Sequence, residues 1–127
     1  MEKKILVVDD EKEIRDLFSH AFSGAGYSVT AVESAEAALE ILSETPFWVY
    51  FLDLNLPGMN GIDLCRKIRK DFPMAIPHAV TGYASLFELS DCREAGFEDY
   101  FIKPASLSDL LSAAGHAFEK LARWGKK

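Results

Sequence analysis

Phe47-Trp48-Val49-Tyr50-Phe51-Leu52-Asp53-Leu54-Asn55-Leu56-Pro57-Gly58-Met59-Asn60-Gly61 is the stretch that decides the fold. Six large apolar or aromatic residues, Phe47 to Leu52, run without a break and stop at an acid. An uninterrupted apolar run bounded by turn residues is the pattern of a strand buried on both faces. Pro57, Gly58, Asn60 and Gly61 then break the chain into a loop. A carboxylate without a partner is costly to take out of water, so Asp53 is expected at the strand's exposed end. In an open parallel sheet the carboxyl ends of the strands form the ligand crevice, which makes Asp53 the first candidate for chemistry.

Upstream, Lys4 to Val8 is a short β-branched run ending on Asp9 and Asp10. Ile14, Leu17, Phe18, Ala21 and Phe22 follow at helical spacing, and Gly26 ends that helix. Tyr27 to Val32 alternates as a second strand. Ser34 caps a helix through Leu42, with Ala35, Ala38, Leu39 and Leu42 inward and Pro46 beyond it. Downstream of the loop, Ile62, Leu64, Cys65 and Ile68 mark a third helix closed near Pro73, and Ile76 to Thr81 a fourth strand. A fourth helix spans 85–95, with Leu86 and Leu89 inward and Phe87 outward. Asp99 to Ile102 is the fifth strand and ends on Lys103 and Pro104. Ser106 and Asp109 form an acidic capping box for a last helix striped by Leu107, Leu110, Leu111, Ala114, Phe118 and Leu121. Repeated β-α units imply an α/β fold, a parallel sheet with helices on both faces.

Composition agrees with one soluble globular domain over residues 1–127, at 49% hydrophobic and 27% charged residues. A net charge of −6 argues against nucleic acid as a direct partner, because phosphate contacts need clustered Lys and Arg. No apolar run reaches membrane-spanning length, and the N-terminal apolar stretch is too short for a signal peptide, so a cytoplasmic location is expected. Cys65 and Cys92 fall in helical patterns and read as packed thiols. His20, His78 and His116 lie far apart without ligand spacing and read as structural or surface residues.

The strand ends carry the functional signal. Asp9 and Asp10, Asp53, Thr81 and Lys103 all fall at the edge where the strands of a parallel sheet finish. Two carboxylates ~5 Å apart repel by about 3 kcal/mol at an effective dielectric near 20. Three clustered acids therefore need a cation, and hard oxygen donors suit Mg²⁺, with Mn²⁺ as a substitute. Thr81 offers a hydroxyl donor and Lys103 a mobile charge for a phosphoryl oxygen. Acid nucleophile, divalent ion, hydroxyl and lysine together describe phosphoryl transfer to a carboxylate.

With these residues in this order, the whole chain resembles a receiver domain of the two-component response-regulator family, of the chemotaxis-regulator kind. The resemblance implies a doubly wound, flavodoxin-like sheet of five parallel strands in the order 2-1-3-4-5 with five helices. It matches Asp9 and Asp10 to the metal-binding acid pair and Asp53 to the phosphoacceptor, and places Asn55 where the family uses a backbone carbonyl as a metal ligand. It matches Thr81 to the hydroxyl residue, Lys103 and Pro104 to the lysine and cis proline, and Tyr100 to the aromatic switch. Ala105 departs from the phenylalanine many members carry there. The resemblance implies a switch that catalyses only its own phosphorylation and dephosphorylation. A histidine kinase or histidine phosphotransfer protein would load it. The surface of the fourth helix, fifth strand and fifth helix would then control an effector, an output domain or a second copy of the chain, with Phe87 exposed there. Tyr83, two residues past Thr81, is expected to border the path of hydrolytic water, and Trp48 to report on the site by fluorescence.

Two other classes compete. A haloacid-dehalogenase-type phosphatase wants a second Asp two residues after the nucleophile, where this chain has Asn55. A degenerate interaction module would lack one of Asp9, Asp53, Thr81 or Lys103, and all are present. The sequence is compatible with a stand-alone regulator and with a piece of a longer one.

Overall fold

The computed structural model describes residues 2–82 and 86–125, with the backbone alone at 86–88. Tyr83 and the side chains of Leu86 and Phe87 lie outside the described residues. The strands β1 (Lys4–Val8), β2 (Ser28–Val32), β3 (Val49–Leu52), β4 (Ile76–Thr81) and β5 (Asp99–Ile102) form one sheet in the order β2-β1-β3-β4-β5. All pairings are parallel. The helices are α1 (Lys12–Gly24), α2 (Ala35–Leu42), α3 (Gly61–Asp71), α4 (Leu86–Ala95) and α5 (Leu107–Gly125). Among the described residues no helix is long and apolar enough to cross a membrane.

β3 is central because it can be buried on both faces. Alternate residues serve opposite layers, as the two-residue period of a strand requires. Val49 and Phe51 join Ile5, Val7 and Val80 against Phe18 and Phe22 of α1 and Leu110 and Ala114 of α5. Tyr50 and Leu52 join Leu6 and Val8 against Ala38 of α2 and Leu64, Cys65 and Ile68 of α3. The buried Tyr50 hydroxyl donates to the Phe47 carbonyl, which satisfies its one polar group inside this core. Ser34 caps α2 through Ala37 N at 3.1 Å, and Asn60 caps α3 through Asp63 N at 2.9 Å.

Three local expectations change. Trp48 precedes the strand, because pairing with β1 starts at Ile5 and Val49. It is 39% exposed and packs edge-on against Phe72. It therefore sits at the other end of β3 from Asp53, roughly 16 Å of extended chain away, and is poorly placed to report on that residue. Leu89 is 38% exposed rather than inward, and Cys92 and Ala95 are the buried residues among the described side chains of α4. At 3.6 residues per turn Leu89 lies about 120° around the helix from Ala95, on the flank of the stripe. Tyr27 falls just before β2 and stacks on Phe118 at 5.2 Å.

His78 is fully buried in β4, an unusual position for this residue type. Its ring stacks on Phe51 at 4.4 Å, and Nδ1 lies 2.9 Å from the Tyr50 carbonyl, so the imidazole is held as the Nδ1–H tautomer. Burial pushes its pKa below the ordinary histidine value, although the Tyr50 carbonyl, Asp99 and Glu98 pull the other way. A histidine that stays neutral when folded and charges when unfolded stabilises the fold above its unfolded pKa and stops doing so as pH falls below it. Between about pH 7.5 and about pH 5.5, wild-type protein should lose stability faster than a His78→Leu variant, by up to about 1.4 kcal/mol per pH unit below 6.5. Urea unfolding of both proteins at the two pH values checks this, and parallel slopes would count against it.

Candidate functional site

The sheet's hydrogen-bond ladder continues one residue past its strands and so aligns the polar ends. Asp9 N donates to Val32 O at 3.1 Å, Asp53 N to Val8 O at 2.9 Å and Lys103 N to Thr81 O at 2.8 Å. Each candidate side chain is thereby held by rigid backbone of the neighbouring strand.

Asp9 and Asp53 are 2% and 5% exposed, and they are solved alike. Each places Oδ1 on the backbone N–H two residues on: Glu11 N to Asp9 at 2.9 Å, and Asn55 N to Asp53 at 3.1 Å. Such turns are what an Asp side chain at the end of a strand makes readily. Each then offers Oδ2 to Lys103, whose Nζ lies 2.9 Å from Asp9 and 3.3 Å from Asp53. Burial and the Asp9 charge push the Asp53 pKa up, against the Asn55 N–H and Lys103. Burial alone would lower the Lys103 pKa, but the carboxylates of Asp9, Asp53 and Glu11 overcome it and hold the ammonium charged above its ordinary range. Arg15 Nη1 donates to the Asp9 carbonyl at 2.9 Å and steadies the strand end from α1.

Asp10 is exposed, yet carboxylate oxygens of Asp9, Asp10 and Asp53 lie within 4.8 Å of one another. Three oxygen donors at that separation fit a hard divalent cation. Thr81 is fully buried at the end of β4, next to β3. Tyr100 is half-buried on β5 opposite Ala79 and packs with Leu54, Ala79 and Cys92. The Lys103–Pro104 peptide bond is cis. Asn55 is exposed in the loop after β3, one turn of chain from Asp53. Every site residue read from the sequence thus falls at the carboxyl edge of the sheet or, for Tyr100, beside it.

Two residues join them that the sequence reading passed over. Glu11 places Oε1 3.3 Å from Lys103 Nζ. It directly follows the acid pair, so an unbroken run of three acids was its signal. Glu36, in the first turn of α2, accepts from Met59 N at 3.0 Å and tethers the loop after β3. That N–H lowers the Glu36 pKa. It is 23 residues away along the chain and carries no local signal.

The chain is similar in sequence and in fold to known proteins. Residues 5–115 match the response regulator receiver domain family. The response regulator protein FleR of Pseudomonas aeruginosa is 34% identical over 122 residues, covering 95% of this chain and 26% of FleR. The chain thus spans about a quarter of that relative's length. A receiver domain protein described as CheY-like, from Methanospirillum hungatei, superposes with a TM-score of 0.94 at 31% identity over 98% of this chain and all of that one. The DrrB receiver domain, in a structure described as BeF3-activated, does so with a TM-score of 0.87 at 30% identity, over 94% of this chain and 99% of its own. The chain belongs to the response regulator receiver domain family.

Gly61 opens α3 directly against the site: a Cβ there would meet the Asp53 carbonyl at 2.1 Å and Leu54 Cα at 2.8 Å. Neither atom can move without disturbing the end of β3. An alanine within a helix usually stabilises by about 1 kcal/mol over glycine. Gly61→Ala should instead destabilise by about 1–3 kcal/mol, the cost of forcing bulk into packed structure. Denaturant unfolding reads the sign directly, and a stabilised variant would contradict the close approach.

Proposed function

We propose that the chain is a phosphoaccepting switch of a two-component or phosphorelay system, with Asp53 as acceptor. The observation that carries this reading is the paired use of Asp9 and Asp53, each with Oδ1 on a backbone N–H and Oδ2 on one lysine. The Asp53 carboxylate attacks the phosphorus of a phosphohistidine or small acyl phosphate. The bond from phosphorus to the donor nitrogen or oxygen breaks, and its electron pair stays with the donor as it leaves. Lys103 exchanges a carboxylate for a phosphoryl oxygen, and the Thr81 hydroxyl donates to another. Asp9, Asp10 and Asp53, with the Asn55 carbonyl, would hold Mg²⁺ or Mn²⁺, which supplies neutralisation of the phosphoryl charge.

A new group of roughly −1.5 to −2 charge then biases the chain between two states. Thr81 moves toward the phosphoryl group, and Tyr100 rotates into the space beneath β4. Taking such an equilibrium from mostly off to mostly on requires about 5.5 kcal/mol, within reach of several charge-assisted bonds. The α4-β5-α5 surface is the readout, to an effector, an output domain or a second copy. A sensor histidine kinase or phosphotransfer protein is the donor. Burial pushes the Cys65 thiol up to about 12, and both cysteines are buried thiols, which suits a cytoplasmic setting.

Incubation with a small acyl phosphate and Mg²⁺ should add one phosphoryl group by intact mass. Asp53→Asn should abolish the gain, Asp10→Ala should weaken metal affinity and slow uptake, and a chelator should stop it. Equal modification of Asp53→Asn would remove the assignment. Backbone amide shifts with and without beryllofluoride should change across 89–110, and changes confined to the loop after Asp53 would place the readout elsewhere.

A further inference from the structure

Lys103 has three N–H donors, and three carboxylates meet them. Asp9 and Asp53 are buried members of the acceptor site. The third, Glu11, has a side chain 63% exposed and lies on the solvent side of the same ammonium. Its position makes this contact informative. Glu11 is the N-cap residue of α1, a position where Ser, Thr, Asp or Asn commonly accepts from the first-turn N–H groups. It makes no such bond here. Its backbone N–H is given to Asp9, and among the described residues its carboxylate has Lys103 as its one hydrogen-bond donor.

We propose that Glu11 is a positioning residue that detains Lys103 in the resting site and so weakens binding of the incoming anionic phosphoryl group; the proposal rests on the phosphoacceptor reading of Asp53. An anion reaching Lys103 must take over one of its three contacts. Asp9 and Asp53 belong to the reacting centre, whereas Glu11 can be released to water without leaving a buried group unpaired. While it stays, a phosphoryl oxygen on the same ammonium sits within about 6 Å of its carboxylate, so like charges face each other at the mouth of the pocket.

The test compares Glu11→Gln with Glu13→Gln, which makes the same charge change in the first turn of α1 without touching Lys103. Phosphoryl uptake from a small acyl phosphate is followed against donor concentration, with Mg²⁺ present, and beryllofluoride affinity is read from amide shifts. Glu11→Gln should lower the donor concentration for half-maximal rate, and tighten beryllofluoride, by about fivefold, the size of one charge contact in a solvent-rich setting. The maximal rate should change little, the gain should shrink as salt rises, and Glu13→Gln should match wild type. Glu11→Asp, which keeps the charge on a shorter side chain, should fall between. Since the side chain makes no cap bond, Glu11→Gln should unfold at the wild-type midpoint. Uptake by wild type with identical donor dependence in Glu11→Gln, or an equal gain in Glu13→Gln, would overturn the role of Glu11 alone. Failure of wild type to take up phosphate would instead remove the acceptor reading and this proposal with it.

Discussion

Two carboxylates held out of water at the end of an apolar sheet are the constraint around which this molecule is arranged. Asp9 and Asp53 each follow four fully buried strand residues, Ile5 to Val8 and Val49 to Leu52, so neither can retreat into solvent without breaking its ladder bond to the neighbouring strand. An unpaired buried charge costs several kcal/mol, and two adjacent ones cost more. The chain answers with backbone N–H groups on one oxygen of each acid and a single lysine between the other two. The lysine comes from the far side of β4, so the pocket closes only when β5 is in place. Charge balance at the site and completion of the sheet are one event.

The loop after β3 is held with comparable economy. Its first residues return an N–H to Asp53, Gly61 passes against the Asp53 carbonyl, and Glu36 grips the backbone at Met59 from α2. Gly58, at φ +74°, supplies the left-handed turn beside that grip. Asp53 is thus braced by strand, loop and helix.

The two layers of the core differ in what fills them. On one face, Phe18, Phe22 and Phe51 interlock with Leu110 and the ring of His78. On the other, Leu6, Val8, Tyr50 and Leu52 pack against α2 and α3, and beside them a small cluster of Leu54, Ala79 and Cys92 meets the half-buried Tyr100.

Much of this was legible in the residues. The apolar run into Asp53, the β-branched run into Asp9 and the helical spacings between them set the order of elements, because burial on one or two faces writes a period into the chain. The acid, hydroxyl and lysine at strand ends followed once the strands were taken as parallel. Strand order came through resemblance, since local periodicity is silent on which strands become neighbours. Tertiary structure alone turned Leu89 to the flank of α4, left Trp48 at the far end of β3, and brought Glu36 across 23 residues to the loop. It also sent Glu11 to Lys103 instead of to its own helix end, across 92 residues. A side chain's periodicity is decided by its neighbours in sequence, but its hydrogen-bond partner is decided by whichever charge the folded sheet carries to within about 3 Å of it.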